Sequence, residues 1–181
     1  MLPYIYDNYA QNKDLRLWSA GCSSGEEPYT LEMIIQDFFK DKPVGWDTRI
    51  LATDISTHVL KKAIEGVYPA ENLKDLPNNW IRDYFQPFDD TNKQVRDQIK
   101  KLITYRKFNL MDEKFPFKKP FHTIFCRNVM IYFDTDTRDR LVTKFYDATV
   151  TGGFLFIGHS ESLNHKTTKY KYLKPAVYRK V

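Results

Sequence analysis

Cysteine is nearly absent from this chain: Cys22 and Cys126 are the only two in 181 residues, and they do not form a CxxC pair. That excludes a disulfide-stapled scaffold and a thiolate zinc site, and it points to a reducing compartment, the cytoplasm. Histidine is scarce as well. His58, His122, His159 and His165 are scattered without metal-ligand spacing, so no metal is expected. No stretch approaches the roughly 20 apolar residues of a membrane span, and membrane insertion is not expected. The first residues, MLPYIYDNYAQNKD, lack a basic region followed by an apolar core, so they do not read as a signal peptide. Internal repeats and low-complexity segments are missing too.

What is present suits one domain of ordinary size: 42% hydrophobic, 28% charged and 15% aromatic residues. The formal charge is +5. It reflects either a lysine-rich solvated surface or a partner with clustered carboxylates or phosphates. The basic residues are spread over Lys61-Lys62, Lys100-Lys101, Arg106-Lys107, Lys118-Lys119 and the tail, and no single run dominates. Composition therefore does not select nucleic acid, and none is expected as a partner.

Short apolar runs alternate with helical spacing. Residues 15–20, LRLWSA, read as a strand running into glycine, and a helix over about 28–40 carries Leu31, Ile34, Ile35, Phe38 and Phe39 on one face. Residues 49–53 form a second strand ending at Asp54. Ser56 caps a helix through about Glu65, and Gly66 closes it. Further strands are expected at 102–109, at 121–126, and after a Thr-Gly-Gly turn at 151–153. A short helix is expected near 77–85 and a long one over 134–149. The tail, KYKYLKPAVYRK, alternates around Pro175 and suggests a closing antiparallel hairpin. The pattern is an α/β sandwich with a mostly parallel sheet, and ligands of such sheets sit at the carboxyl ends of the strands. Trp18 and Phe125 belong to the core. Cys22 and Cys126 end adjacent strands and read as buried free thiols, and His159 as a loop organiser.

Four polar clusters end those strands: Gly21 to Glu27, Asp54, Asn109, and Cys126-Arg127-Asn128. The first turn, GCSSGEEP, lacks the Gly-Lys-Ser/Thr ending of a phosphate loop, and Glu26 and Glu27 would repel anionic oxygens. The two acids also suit a helix N-terminus on their own account. An acid at the end of the second strand can accept hydrogen bonds from both hydroxyls of a ribose. A nucleoside with a positive centre and no phosphate meets both conditions, and S-adenosyl-L-methionine is such a molecule.

In order along the chain, WSAGCSSGEEPYTLEM, ILATDIS, FNLMD, FCRNVMIYFD and GGFLFIGHSESL resemble the motifs of the CheR chemotaxis receptor methyltransferases, over roughly residues 15 to 181. The resemblance implies a class I S-adenosylmethionine-dependent methyltransferase, Rossmann-like, with a small inserted antiparallel subdomain at about 67–104. It implies transfer of the methyl group of S-adenosyl-L-methionine to glutamates on the cytoplasmic helices of methyl-accepting chemoreceptors. The products are γ-methyl esters and S-adenosyl-L-homocysteine. It places Gly21 in the cofactor turn, Glu27 toward the methionine end, Asp54 on the ribose, and Asn109 and Leu110 against the adenine. Arg127 and Asn128 then line the pocket where cofactor and substrate meet, with Arg127 and Tyr132 as the catalytic pair.

Departures from the family pattern carry expectations of their own. Residues 1–14 read as a linker remnant, and the family's N-terminal helical domain and its Thr-x-Phe-Phe-Arg motif have no counterpart here. A catalytic domain alone is therefore expected, with weakened cofactor binding and low turnover. The inserted segment QPFDDTNKQVRDQIKK has no glycine, so docking of a receptor pentapeptide is not expected. His122 stands where the family usually has an aspartate and reads as a surface variation. Two other readings stay open: a non-catalytic cofactor-binding or protein-interaction domain, and a methyltransferase for nucleic acid or small molecules. The latter should show an Asn/Asp-Pro-Pro-Tyr type of loop, where this chain has RNVMIYFD.

Overall fold

The computed structural model describes residues 1–43 and 45–181. A seven-stranded sheet is built from β1 (Leu17–Ala20), β2 (Ile50–Asp54), β6 (Ile103–Lys107), β7 (Phe121–Cys126), β8 (Thr149–Ile157), β9 (Lys171–Lys174) and β10 (Val177–Arg179). Their order is β6-β2-β1-β7-β8-β10-β9. The pairs β6–β2, β2–β1, β1–β7 and β7–β8 are parallel, and β10 is antiparallel to both β8 and β9. A second sheet, β3 (Val67–Pro69), β5 (Asn92–Val95) and β4 (Phe85–Pro87), is wholly antiparallel and lies between α3 (Thr57–Glu65) and β6 in the chain. The sequence-based fold class agrees with this mostly parallel sheet and its antiparallel closing hairpin.

Why these runs become strands is visible in their burial. All four residues of β1 and all six of β7 are buried, as expected of central strands covered on both faces. Alternate residues point to opposite layers. Leu17 and Phe125 join α1 (Leu2–Tyr9) and α2 (Glu26–Phe39) in one core. Trp18, Ile124 and Cys126 join Leu141, Val142 and Phe145 of α6 (Thr135–Asp147) in the other. Trp18 is fully buried, ringed by Phe108, Phe115, Phe117, Phe121 and Phe145, and its indole N–H donates to Thr53 Oγ1 at 2.9 Å. The helix signals hold at α3, where Ser56 Oγ accepts from Val59 N and Gly66 closes the helix in the left-handed region.

Three expectations need correction. Thr151-Gly152-Gly153 is no turn: β8 already starts at Thr149, and Gly152, at φ +80°, bulges it where the register with β7 shifts. His122 is not a surface variation. It is buried on β7, its Nδ1 accepts from Arg16 N at 3.0 Å, and the Tyr9 ring meets it edge-on. Burial, with the Arg16 charge adding to it, pushes its pKa down to about 4. Finally, α2 turns Ile34 outward at 41% exposure, while Ile35 is buried and Leu31, Phe38 and Phe39 pack against the core as expected, beside buried Tyr29, Glu32 and Met33. The inward side of α2 extends to Glu32 because the helix lies against β2, β6 and α5 (Asp97–Lys100).

Glu32 is thereby sealed in the core. Gln36 Nε2 donates to its Oε1 at 2.6 Å, and burial, outweighing that hydrogen bond, raises its pKa from 4.5 to about 8. The unfolded chain releases this proton near 4.5 and the folded chain near 8. Glu32 therefore contributes stability that is fully present below pH 4.5 and is lost as pH rises toward 8, at up to about 1.4 kcal/mol per pH unit. His122 acts on the other limb: it stays neutral when folded, so stability falls as pH drops from 6.5 toward 4. Urea unfolding midpoints for Glu32→Gln should be flat from pH 6.5 to 8, where the parent declines, and should fall below pH 6.5 on the His122 limb; parallel curves for the two proteins would refute the assignment.

At the far edge, β9 is exposed along its whole length, with Lys171 and Lys174 flanking Tyr172 and Leu173.

Candidate active site

The carboxyl ends of β1, β2, β6 and β7 lie side by side, and a cleft of about 520 Å³ opens over them. Gly21, Asp54, Asn109, Leu110, Arg127, Asn128 and Tyr132 line it. Seven of the eight residues singled out from sequence thus share one cavity. Glu27 is not in the lining. It sits in the first turn of α2, with Ser19 Oγ donating to Oε1 at 2.7 Å and Arg127 Nη1 to Oε2 at 3.3 Å.

Each wall has a local cause. After β1 the chain must reverse tightly, and Gly21 takes φ +87°, a region that L side chains avoid. A Cβ there would also collide with Val129 Cγ2, so this glycine lets the β1 and β7 loops touch. The amides of Gly21 and Cys22 both donate to Thr53 O at 2.8 Å, tying the turn to the end of β2. Asp54 completes the tie: Oδ2 accepts from Ser23 N and Oδ1 from Ser56 N, each at 2.9 Å. Phe108 N donates to Asp54 O at 3.0 Å, which brings the 108–111 loop alongside, and Asn109 Oδ1 accepts from Met111 N.

The β7 loop carries Arg127 and Asn128, then a short 3-10 turn over Met130–Tyr132. Asn128 holds φ +58°, which asparagine tolerates better than most residues. Tyr132 is 81% exposed at the mouth of the cleft, so ordinary core packing does not describe it. Ile55 and Met111, also in the lining, are 60% and 38% exposed.

The electrostatics favour a cation. Glu26, tied to Ser24 Oγ, joins Glu27 and Asp54 at the rim, while Arg127 is the one cation in the lining. Burial, followed by the charge of Asp54 and then those of Glu27 and Glu26, pushes the Cys22 thiol up to about 12. Burial also raises the Glu27 carboxyl, against the opposing effects of Ser19 and Arg127. A partly buried acid that Arg127 does not fully compensate is a place for an ammonium. The donor set thus fits a nucleoside sulfonium: free lone pairs on Asp54 for sugar hydroxyls, an acid at the first turn, and no cluster of cations for phosphates. Cys22 and Cys126 are both buried free thiols. Among the described residues, no group of three or more His, Cys, Asp or Glu side chains can hold a metal ion, and no helix is long and apolar enough to cross a membrane.

Sequence reasoning missed one residue here. His159 is exposed, and the organiser of its loop is Glu161, which is 9% exposed and accepts from the amides of Asn128, Ile131 and Gly158. The GHSES segment was the available signal, but an acid two residues beyond a histidine reveals its contacts only through the fold.

Residues 2–179 match the family model described as CheR methyltransferase, SAM binding domain. A chemotaxis protein methyltransferase of Borreliella burgdorferi is 46% identical over 171 residues, covering 94% of this chain and 60% of that protein. One of Escherichia coli (strain K12) is 35% identical over 168 residues, covering 91% of this chain and 58% of that protein. The chain thus spans less than two thirds of these relatives' length. Among solved structures, the glycopeptide N-methyltransferase MtfA aligns over 85% of this chain and 51% of that chain, at TM-score 0.47 and 13% identity.

Proposed function

Because the chain belongs to the CheR methyltransferase family, we propose that it transfers the methyl group of S-adenosyl-L-methionine to glutamate side chains on the cytoplasmic helices of chemoreceptors, forming γ-methyl esters. The observation that carries the reading is the shared cleft: an acid suited to a ribose at Asp54, an acidic first turn, and a guanidinium at Arg127 with Tyr132 at the open mouth.

The residue types suit carboxyl methylation. A glutamate is already ionised at neutral pH, so the site needs no general base, and none of the lining residues is a histidine or lysine. When bound, S-adenosyl-L-methionine supplies a methyl group on a sulfonium sulfur that leaves as the neutral thioether. What the chain must supply is geometry: an approach of carboxylate oxygen to methyl carbon at about 3–3.5 Å, in line. Arg127 meets Glu27 through Nη1, and its side chain is 45% exposed, open to an incoming carboxylate that its planar fork can grip. Tyr132 can donate one hydrogen bond to orient the same group. Both hold the nucleophile without protonating it. With the cofactor bound, Asp54 would hold the sugar, Asn109 and Leu110 the base, and Glu27 the ammonium.

The test is transfer of radiolabelled methyl to receptor cytoplasmic fragments. Label that is released as methanol in mild alkali is the expected result. Alkali-stable label would overturn the ester, and binding of S-adenosyl-L-homocysteine without any transfer would leave the chain a cofactor-binding domain only.

A further inference from the structure

Arg127, Asn128 and Tyr132 sit on a loop with little regular structure, yet their proposed work demands placement within a fraction of an ångström. The carboxylate of Glu161 reaches that loop from the other side of the cleft floor, beyond β8. Its Oε2 accepts from Asn128 N at 3.1 Å and from Gly158 N at 2.5 Å, and its Oε1 accepts from Ile131 N at 3.2 Å. Glu161 N in turn donates to Gly158 O at 3.0 Å, closing a turn under the carboxylate. Three amide donors thus converge on one nearly buried acid, and two of them bracket Val129, the residue in contact with the Gly21 turn. Asn128 is held in the left-handed region at the point where one of those donors is fixed.

We infer that Glu161 is a positioning residue for methyl transfer. It braces the Arg127–Tyr132 loop against β8 and, through Val129, sets its spacing from the Gly21 turn. The inference rests on the proposed carboxyl methylation for its kinetic consequence, but the brace itself is a statement about amides. A carboxylate is the right group for it, because it accepts at both oxygens and donates at neither. A glutamine would turn an N–H donor toward at least one of the three amides. Gly158 belongs to the same device: a Cβ there would lie 2.7 Å from Glu161 Oε2 and 3.0 Å from Asn128 N.

Glu161→Gln in the full chain tests this by three readouts. Amide hydrogen exchange in the ligand-free protein should accelerate about tenfold or more at Asn128 and Ile131, with the Ser23 and Ser56 amides held by Asp54 unchanged. In methyl transfer, kcat should fall on the order of 30- to 100-fold, because small misplacement of reacting groups is costly. The dissociation constant for S-adenosyl-L-homocysteine should stay within about threefold of the parent. Unchanged exchange at Asn128 and Ile131 overturns the brace. So does acceleration shared equally by the whole chain, or an affinity loss that matches the loss in kcat. Should Glu161→Gln not fold, Gly158→Ala displaces the carboxylate while keeping its charge and carries the same expectations. A parent chain that transfers no methyl group defeats the proposed reaction, whereas the exchange pattern still decides for or against the brace.

Discussion

Replacing Asp54 by alanine will weaken binding of S-adenosyl-L-homocysteine by about 100-fold. Two costs combine. The proposed ribose loses a charged acceptor, and hydrogen bonds to charged groups contribute about 1.5–3 kcal/mol each, where each 1.4 kcal/mol is tenfold. The amides of Ser23 and Ser56 lose their partner as well, so the Gly21 turn and the start of α3 are no longer tied together. Asp54→Asn separates the costs. It keeps one acceptor but presents an NH₂ group to one of those amides, and it should fall between parent and alanine variant. Isothermal titration reads both. An alanine variant that binds within about threefold of the parent would remove Asp54 from the cofactor site.

Arg127→Ala should lower kcat/KM for a receptor fragment by about 10³-fold, roughly 4 kcal/mol, the scale for losing a charged group that holds a reacting carboxylate. Arg127→Lys should recover only part of this, since a point charge cannot reproduce a bidentate grip. Cofactor affinity should respond differently. Arg127 is the positive charge paired with Glu27 in the ligand-free chain, and removing it leaves a partly buried carboxyl whose pKa is already raised by burial. The variant's Glu27 therefore holds its proton to higher pH. Binding of S-adenosyl-L-homocysteine to Arg127→Ala should fall off on acidification earlier than in the parent. Equal loss of affinity and turnover at all pH values would instead mark Arg127 as a structural ion pair.

Much of this was legible in the amino-acid order. Strand–helix alternation with polar residues at strand ends is a local signal, and it located β1, β2, β6 and β7 along with the polar residues at or just beyond their ends, Asn109 lying two residues past the end of β6. Parallel pairing then brings those ends to one rim, which is why Gly21, Asp54, Asn109 and Arg127 meet although they span more than a hundred positions. What stayed hidden depends on packing across the sheet. Glu161 and Asn128 are 33 residues apart and meet only because β7 and β8 are neighbours. Glu32 was passed over because helical spacing favours Ile34, and only the contacts of α2 with β6 and α5 decide which side faces inward. For His122, the backbone amide of Arg16 supplies the partner that makes burial tolerable, and a main-chain donor leaves no trace in a residue pattern.

The lysines of β9 bear on how the protein behaves when concentrated. An open sheet edge offers unpaired amides and carbonyls to any other extended chain, and Tyr172 and Leu173 would make such an encounter adhesive. Lys171 and Lys174 line that same edge with positive charge, so two copies approaching strand to strand repel before they can pair. Because this repulsion acts across solvent, added salt weakens it. Colloidal stability at high protein concentration is then a matter of ionic strength, set at the end of the sheet farthest from β6.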